Sequence, residues 1–352
     1  MAPPSKRYED LSLSAQTAYA ELLESARAQD LHRSIANLSG SFASKQIKGR
    51  KYWYYQYRDV DGSVKQLYVG PDTEEVRVLM ERAKEKPSKA LEPLARSAIA
   101  LGCVRVLPKH FRIIRRLSEY GFFHAGGVLI GTHAFLAHGN MLGVRWHDGA
   151  QTLDIDFAHA GKNISLALPT TIKVDVHKAL DSLEMGFLPI ASFDGYTGPT
   201  YLNPAEPELR VDFLTPLNRA GEKPFNLSNL NVALQPLKFM EFVLEHPTQA
   251  AVFYEEGAVI VNVPMPVRYA LHKLLVWGER EEAFRTKAGK DLLQSAALIS
   301  YLKDHRPTEI HEAWTDLLGR GKGWRKRAEE GIEALGRLAP DLNVREFLYK
   351  AK

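Results

Sequence analysis

Cysteine is almost absent from the 352-residue sequence. Cys103 stands alone, which excludes an internal disulfide and any cysteine-built zinc site. No uninterrupted apolar run approaches the length that spans a bilayer. The opening MAPPSKRYED also lacks the apolar core of a secretory signal, so a cytoplasmic protein with no membrane partner is expected. Charge of one sign is in little excess: 46 Lys and Arg stand against 42 Asp and Glu, a net charge of +4. Such a balance permits a polyanionic partner without requiring one. With cysteine gone, metal ligands must come from carboxylates and histidines, and carboxylates favour Mg²⁺ or Mn²⁺.

What is present is ordinary for a folded chain, 45% hydrophobic and 25% charged, in a length sufficient for two or three cores. Periodicity predicts a helix from Leu11 to about Leu38, with Ala18, Tyr19, Leu22 and Leu23 on one face and Gly40 as a stop. Two β-rich runs, Lys51–Arg58 and Val64–Val69, flank the turn Asp59-Val60-Asp61-Gly62 and predict a hairpin. A helix from Thr73 to Glu85 and a linker near Lys86–Pro93 follow. From Leu94 helices and strands alternate: a helix from Pro108 to Tyr120, a buried strand Ala125–Ile130, a helix from Gly131-Thr132, and the strand TLDIDFAH. A helix from about Thr170 to Leu183, a hairpin-like stretch ending in ELRVDFLTPL and a hairpin turning at Glu256-Gly257 complete this part. After Pro266 the pattern is helical. The expected division is an N-terminal helix-and-hairpin region (1–93), a central α+β domain (94–265) and a C-terminal helical domain (266–352).

In TLDIDF, a period of two sends Asp154 and Asp156 to one face and Leu153, Ile155 and Phe157 to the other. Adjacent carboxylates repel, raising one another's pKa, unless a cation sits between them. The plain alternative is a surface strand with two solvated aspartates. Upstream, GGVLIGTHAFLA reads as strand, turn and helix. A glycine at that turn admits close approach of a ligand, Thr132 offers a hydroxyl, and the helix N-terminus offers N–H groups to phosphate. The same Gly-Thr is also a good helix start.

Gly131-Thr132 followed by Asp154-x-Asp156 resembles the signature of polymerase-β-like nucleotidyltransferases. The resemblance implies that superfamily's α+β fold, a small mixed sheet flanked by helices, with NTP as substrate and Mg²⁺ or Mn²⁺ as cofactor. It also implies a third carboxylate on a neighbouring strand. Asp212 in ELRVDFLTPL is favoured, with Asp175 in KVDVHKAL as the rival, though that stretch reads better as a capped helix. Catalysis and metal binding would then fall to Asp154, Asp156 and Asp212. The segment between Thr132 and Asp154 is longer than in compact members. PMPVRYALHKLLVWGER and KAGKDLLQSA are similar to helical motifs of the abortive-infection (AbiEii-type) toxin group. That likeness implies Lys273 on the triphosphate, Lys290 or Asp291 lining the nucleotide pocket, and a toxin or defence role with an antitoxin or other partner protein. The bland reading makes all three ordinary helix-surface charges. Together with the YWYYQYRD…KQLYVGP hairpin, the chain resembles a bacterial branch of nucleotidyltransferase-fold proteins.

The acceptor is open: an RNA end, a protein or a small molecule. Lys51, Arg58 and Lys65 interleave with six aromatic residues in the hairpin, a pattern that suits base stacking and equally suits strand packing. Asp59-Val60-Asp61-Gly62 lacks the closing glutamate of a calcium loop and reads as a turn. The run GRGKGWRKR (319–327) is either a phosphate patch or a solvated helix face. His133, His138, His147 and His159 show no zinc spacing and are candidates for lining a pocket. The rival to an enzyme is an inactive nucleotide- or RNA-binding module. Three carboxylates favour the enzyme, because a binding module has no need to gather that much negative charge.

Overall fold

A computed structural model describes residues 6–35, 40–58, 64–84, 91–160, 174–191, 197–217, 221–279 and 285–350. The chain opens with strand β1 (Tyr8–Asp10) and helix α1 (Leu13–Ile35). Strands β2 (Gly40–Ile47), β3 (Arg50–Arg58) and β4 (Val64–Pro71) follow, and then helices α2 (Glu74–Lys84) and α3 (Leu91–Ala100). The predicted hairpin is thus two strands of a three-stranded antiparallel sheet, ordered β2-β3-β4. The added strand, GSFASKQI, is rich in small residues and carries little alternation to read. The DVDG turn and residues 86–90 of the predicted linker lie outside the described residues. Part of that linker is helical instead. Leu91, Ala95 and Ala98 fall on one buried face of α3, and Pro93 sits in its first turn, where a missing N–H costs no helical bond.

The central elements run α4 (Pro108–Glu119), β5 (Gly127–Leu129), α5 (Gly131–Leu142), β6 (Val144–Trp146), β7 (Asp154–His159), α6 (Val176–Asp181), β8 (Leu188–Ala191), β9 (Thr197–Asn203) and β10 (Glu206–Pro216). Then come β11 (Phe225–Leu227), β12 (Val232–Leu237), α7 (Met240–Val243) and the hairpin β13 (Thr248–Tyr254) with β14 (Gly257–Val263). Helices α8 (Pro266–Glu279), α9 (Arg285–His305), α10 (Pro307–Gly319), α11 (Lys322–Leu338) and α12 (Val344–Tyr349) close the chain. Of the helix predicted from Thr170, residues 170–173 lie outside the described residues, and α6 occupies its C-terminal half.

Strand β10 organises the main mixed sheet. It runs parallel to β7 along one edge, while its other edge pairs first with antiparallel β9 and then with parallel β12. Strand β5 closes the far side of β7, antiparallel. Alternation explains the packing: Leu209, Val211 and Phe213 of β10, with Ile155 and Phe157 of β7, are buried. Phe157 and Phe213 stack at 5.5 Å, and Phe122 meets both edge-on. Each such buried side chain contributes about 1.5–3 kcal/mol of burial free energy, so this face fixes the β7–β10 register.

One apolar cluster continues from this sheet through α8 and α9 to Leu348 near the end of the chain. The N-terminus joins the same body. β1 pairs with β6, and Tyr8 packs edge-on against Trp146 and Tyr301. A second cluster sets Tyr19 and Leu22 of α1 and Ala95 of α3 against Phe253 and Ile260 of the β13–β14 hairpin. No helix among the described residues is long and apolar enough to cross a membrane.

Candidate active site

Asp154 and Asp156 lie on the partly exposed face of β7, opposite the buried Ile155 and Phe157. Leu153 departs from the predicted alternation: it precedes the strand and is half exposed. Parallel pairing aligns Asp212 of β10 with Asp156, and Arg210 with Asp154. Aligned residues on neighbouring strands share a face, about 4.8 Å apart. Asp156 and Asp212 are therefore side by side, with Asp154 and Arg210 next along the same face. On its other side Asp212 accepts a 2.5 Å hydrogen bond from the Thr200 hydroxyl. Among the described residues no three His, Cys, Asp or Glu groups are gathered as a ready metal cluster. Asp175 stands elsewhere. It caps α6, accepting from the Lys178 backbone N–H at 2.8 Å and from the Asn231 amide at 2.9 Å.

Gly131 opens α5 with φ +61°, and a Cβ built there would lie 2.0 Å from Asp156 Oδ2. The close approach read from the glycine is thus made by the carboxylate, while the Ile130 N–H donates to the Asp156 carbonyl at 2.9 Å. The Asp156 carboxylate sits at the positive end of the α5 dipole. Thr132 faces inward. It is buried, and its hydroxyl accepts from Gln294 of α9 at 3.2 Å. The Gln294 amide also donates to the Gly149 carbonyl, and its Oε1 lies 2.8 Å from the Tyr269 hydroxyl. That hydroxyl is equally 2.8 Å from the Gly131 carbonyl, so two acceptors compete for one proton. Tyr269, Gln294 and the carbonyls of Gly131 and Gly149 thereby tie the turn to the C-terminal helices.

Two clefts adjoin this acidic face, one at Asp156 and one at Asp154. The first, about 530 Å³, is lined by Gly131, Asp156, Lys238, Tyr269, His272 and Lys273 among others. The second, about 980 Å³, is lined by Asp154, His110, His133, Leu153, Arg210 and Lys290 among others. Both have the size of small-molecule sites. Lys273 forms a 2.7 Å ion pair with the buried Asp291 and lies 5.1 Å over the Tyr269 ring. Burial alone would lower its pKa, but Asp291, Tyr269 and Asp156 together raise it, so the ammonium stays charged. Lys290, on the second cleft, has its pKa lowered by burial and by Lys273, against the pull of Asp156, Asp291 and Asp154.

His110 and His133 meet at 2.9 Å between Nδ1 and Nε2. Burial depresses both, to about 4 and about 3, so they form a neutral pair in which one ring donates to the other. His138 and His159 are spent on structure, donating from Nε2 to the carbonyls of Pro264 and Ala125 at 2.8 Å. His147 is exposed. In the basic run near the C-terminus, Arg320 pairs with Glu245 and Asp316, and Arg327 with Glu279 and Glu330. Sequence reasoning overlooked His110, Arg210, Tyr269 and Gln294. A helical signal existed for two of them: Tyr269 stands four residues before Lys273, and Gln294 four after Lys290, each pair on one helix face.

A family model described as a nucleotidyltransferase matches residues 109–319, more than half of the chain, with Gly131, Thr132, Asp154, Asp156, Asp212, Lys273, Lys290 and Asp291 inside the match. Among solved structures, an antigenic nucleotidyltransferase-like protein from Paracoccidioides brasiliensis is similar at 14% identity. The likeness spans 64% of this chain and 95% of that one, with a TM-score of 0.31, too loose to transfer any residue's role. No curated protein matches the chain.

Proposed function

The chain belongs to the nucleotidyltransferase family, and on that premise we propose that it transfers a nucleoside monophosphate from an NTP to an acceptor hydroxyl. The observation that carries this reading is the in-register pair Asp156 and Asp212 beside a glycine that leaves room for the carboxylate. The donor set fits Mg²⁺ or Mn²⁺: Asp154, Asp156 and Asp212 offer hard oxygen ligands from one sheet face, which side-chain rotation would bring together. Bound there, such an ion would neutralise phosphate charge and make the acceptor hydroxyl more acidic.

The protein's own groups supply position. The triphosphate enters the smaller cleft, where the α5 N-terminus at Gly131 and the Lys273 ammonium face its charge. Asp291 holds Lys273 in place and charged. The acceptor enters from the larger cleft beside Asp154. Its oxygen bonds to the α-phosphorus as the bond to pyrophosphate breaks in line, and the hydroxyl proton is released. The resemblance of PMPVRYALHKLLVWGER and KAGKDLLQSA to AbiEii-type motifs, read from the sequence alone, is the ground for proposing the Lys273 role and a toxin or defence setting with a protein partner.

Incubation with each labelled NTP, divalent cation, total RNA, total protein and small-molecule extract tests the reading. Label is expected in one acceptor fraction, with stoichiometric pyrophosphate release. Asp156→Asn and Asp212→Asn are each expected to reduce it by about a hundredfold or more while the protein stays folded. Wild-type rates in both variants would refute the assignment. Thermal stabilisation by NTP with no turnover on any acceptor would instead identify a binding module.

A further inference from the structure

The β2-β3-β4 sheet has two faces of different character. Toward the body, Phe42, Tyr55, Leu67 and Val69 close over Leu31 of α1 and form their own small core. Antiparallel register puts a different set on the opposite face: Tyr54 aligns with Ala43 and Tyr68, Tyr52 with Lys45, and Gln56 with Ser41 and Gln66. Tyr68 meets Tyr54 at 5.4 Å and Tyr52 at 6.3 Å, and Tyr68 is 41% exposed. Lys45 reaches over the Tyr54 ring at 5.4 Å. These tyrosines are not needed to fill the sheet's core, which the other face already does.

Positive charge is concentrated in this segment as well, although Lys51 alternates with Tyr52 onto the other face and pairs with Asp72. Residues 40–71 contain Lys45, Lys48, Arg50, Lys51, Arg58 and Lys65 against Asp59 and Asp61, a net +4 that equals the charge of the whole chain. Everything else sums to zero. The strands themselves carry no carboxylate.

We propose that this outer face binds single-stranded nucleic acid, with Tyr52, Tyr54 and Tyr68 as base-stacking surfaces and Lys45 and its neighbouring cations on the phosphates. Residues two apart on a strand, such as Tyr52 and Tyr54, lie about 6.7 Å apart, close to the step between nucleotides in an extended strand. Aromatic rings accept any base, and the cations follow the backbone, so binding is tolerant of sequence and sensitive to salt. A duplex hides its base faces and fits less well. The proposal does not depend on the transferase reading, because it concerns a separate sheet and needs neither NTP nor divalent cation.

Fluorescence anisotropy with short labelled RNA and DNA oligonucleotides, single-stranded and duplex, tests it on the full chain without NTP or divalent cation. Both single strands are expected to bind better than duplex. Tyr54→Leu with Tyr68→Leu, which keeps apolar bulk but removes the rings, should weaken single-strand binding about tenfold or more. Lys45→Glu, at an exposed position outside the sheet's small core, should weaken it too and reduce the slope of log affinity against log salt by about 0.7. Circular dichroism and thermal melts confirm that the variants fold. The proposal is overturned if no single strand binds, if neither set of substitutions changes binding, or if phosphatidylserine vesicles bind through these residues while oligonucleotides do not.

Discussion

Two sheet faces in this molecule are built by the same alternation and carry opposite charge. On β7 and β10 the outward positions hold Asp154, Asp156 and Asp212. On β2, β3 and β4 they hold tyrosines and cations. What lies beneath each face separates them. The acidic face rests on stacked Phe157 and Phe213 within a cluster that runs through the C-terminal helices. Among the described residues, the basic face rests on one buried tyrosine with a few half-buried neighbours. Chemistry that needs fixed carboxylates is backed by the deep core, where side chains have least freedom to move. A surface suited to a sequence-tolerant polymer can rest on a shallow one.

Acid should act on the two regions very differently, and this is the largest effect expected. Burial lowers His110 and His138 to about 4 and His133 to about 3, from a usual 6.5, and all three belong to the body that carries the acidic face. Residues 40–71 contain no histidine. A depressed histidine stays neutral in the fold while the unfolded chain takes up its proton. Stability is therefore intact above pH 6.5 and is lost as pH falls from there toward 4. Each group adds a slope of about 1.4 kcal/mol per pH unit in that window, so three together approach 4. His124, whose pKa Asp30 raises against burial, works the other way: its contribution is full below 6.5 and fades above its raised pKa. Urea melts at pH 7.5, 6 and 5 check the sign. A flat profile would mean that the histidines are solvated and that the central core is loosely packed around them.

Phe213→Ala against Tyr55→Ala tests the comparison more directly. Removing the stacked ring should cost about 3–5 kcal/mol. It should also lower transfer, because the β7–β10 register holds Asp212 next to Asp156. Tyr55→Ala should cost roughly half as much, the smaller cluster having fewer contacts to lose, and should leave transfer intact. Chemical denaturation with parallel activity assays reads both. Equal losses would dissolve the distinction between a deep and a shallow sheet.

What the sequence could disclose follows from distance along the chain. Asp154 and Asp156 are two apart, and local alternation is enough to place them on one strand face. The alignment of Asp212 with Asp156 depends on pairing between strands far apart in sequence, set by Phe157 on Phe213. No local period encodes it. Likewise Lys273 announces itself by interrupting an apolar stretch, but its partner Asp291 and the His110–His133 pair arise only from tertiary packing. Thr132 turns inward because α5 is buried nearly all round, so its hydroxyl meets Gln294. Strand β2 escaped notice because small residues blur the period on which such readings rest.

Gly131→Ala should show the smallest change in stability and a disproportionate change in chemistry. At φ +61° an alanine pays about 1–2 kcal/mol for its backbone conformation. The larger consequence is local. The new Cβ would lie 2.0 Å from Asp156 Oδ2, and a carboxylate can swing aside more easily than the start of a helix can move. Asp156 would then leave its place beside Asp212, with the surrounding core little disturbed. Transfer should fall toward the level of Asp156→Asn while the melting curve shifts only modestly. The basic sheet offers the control: Gly49 also has a positive φ, but nothing lies within 4 Å of its added Cβ. Gly49→Ala should therefore bring a similar backbone cost and no loss of transfer. If both substitutions left transfer unchanged, the contact between Gly131 and Asp156 would have no part in positioning the carboxylate.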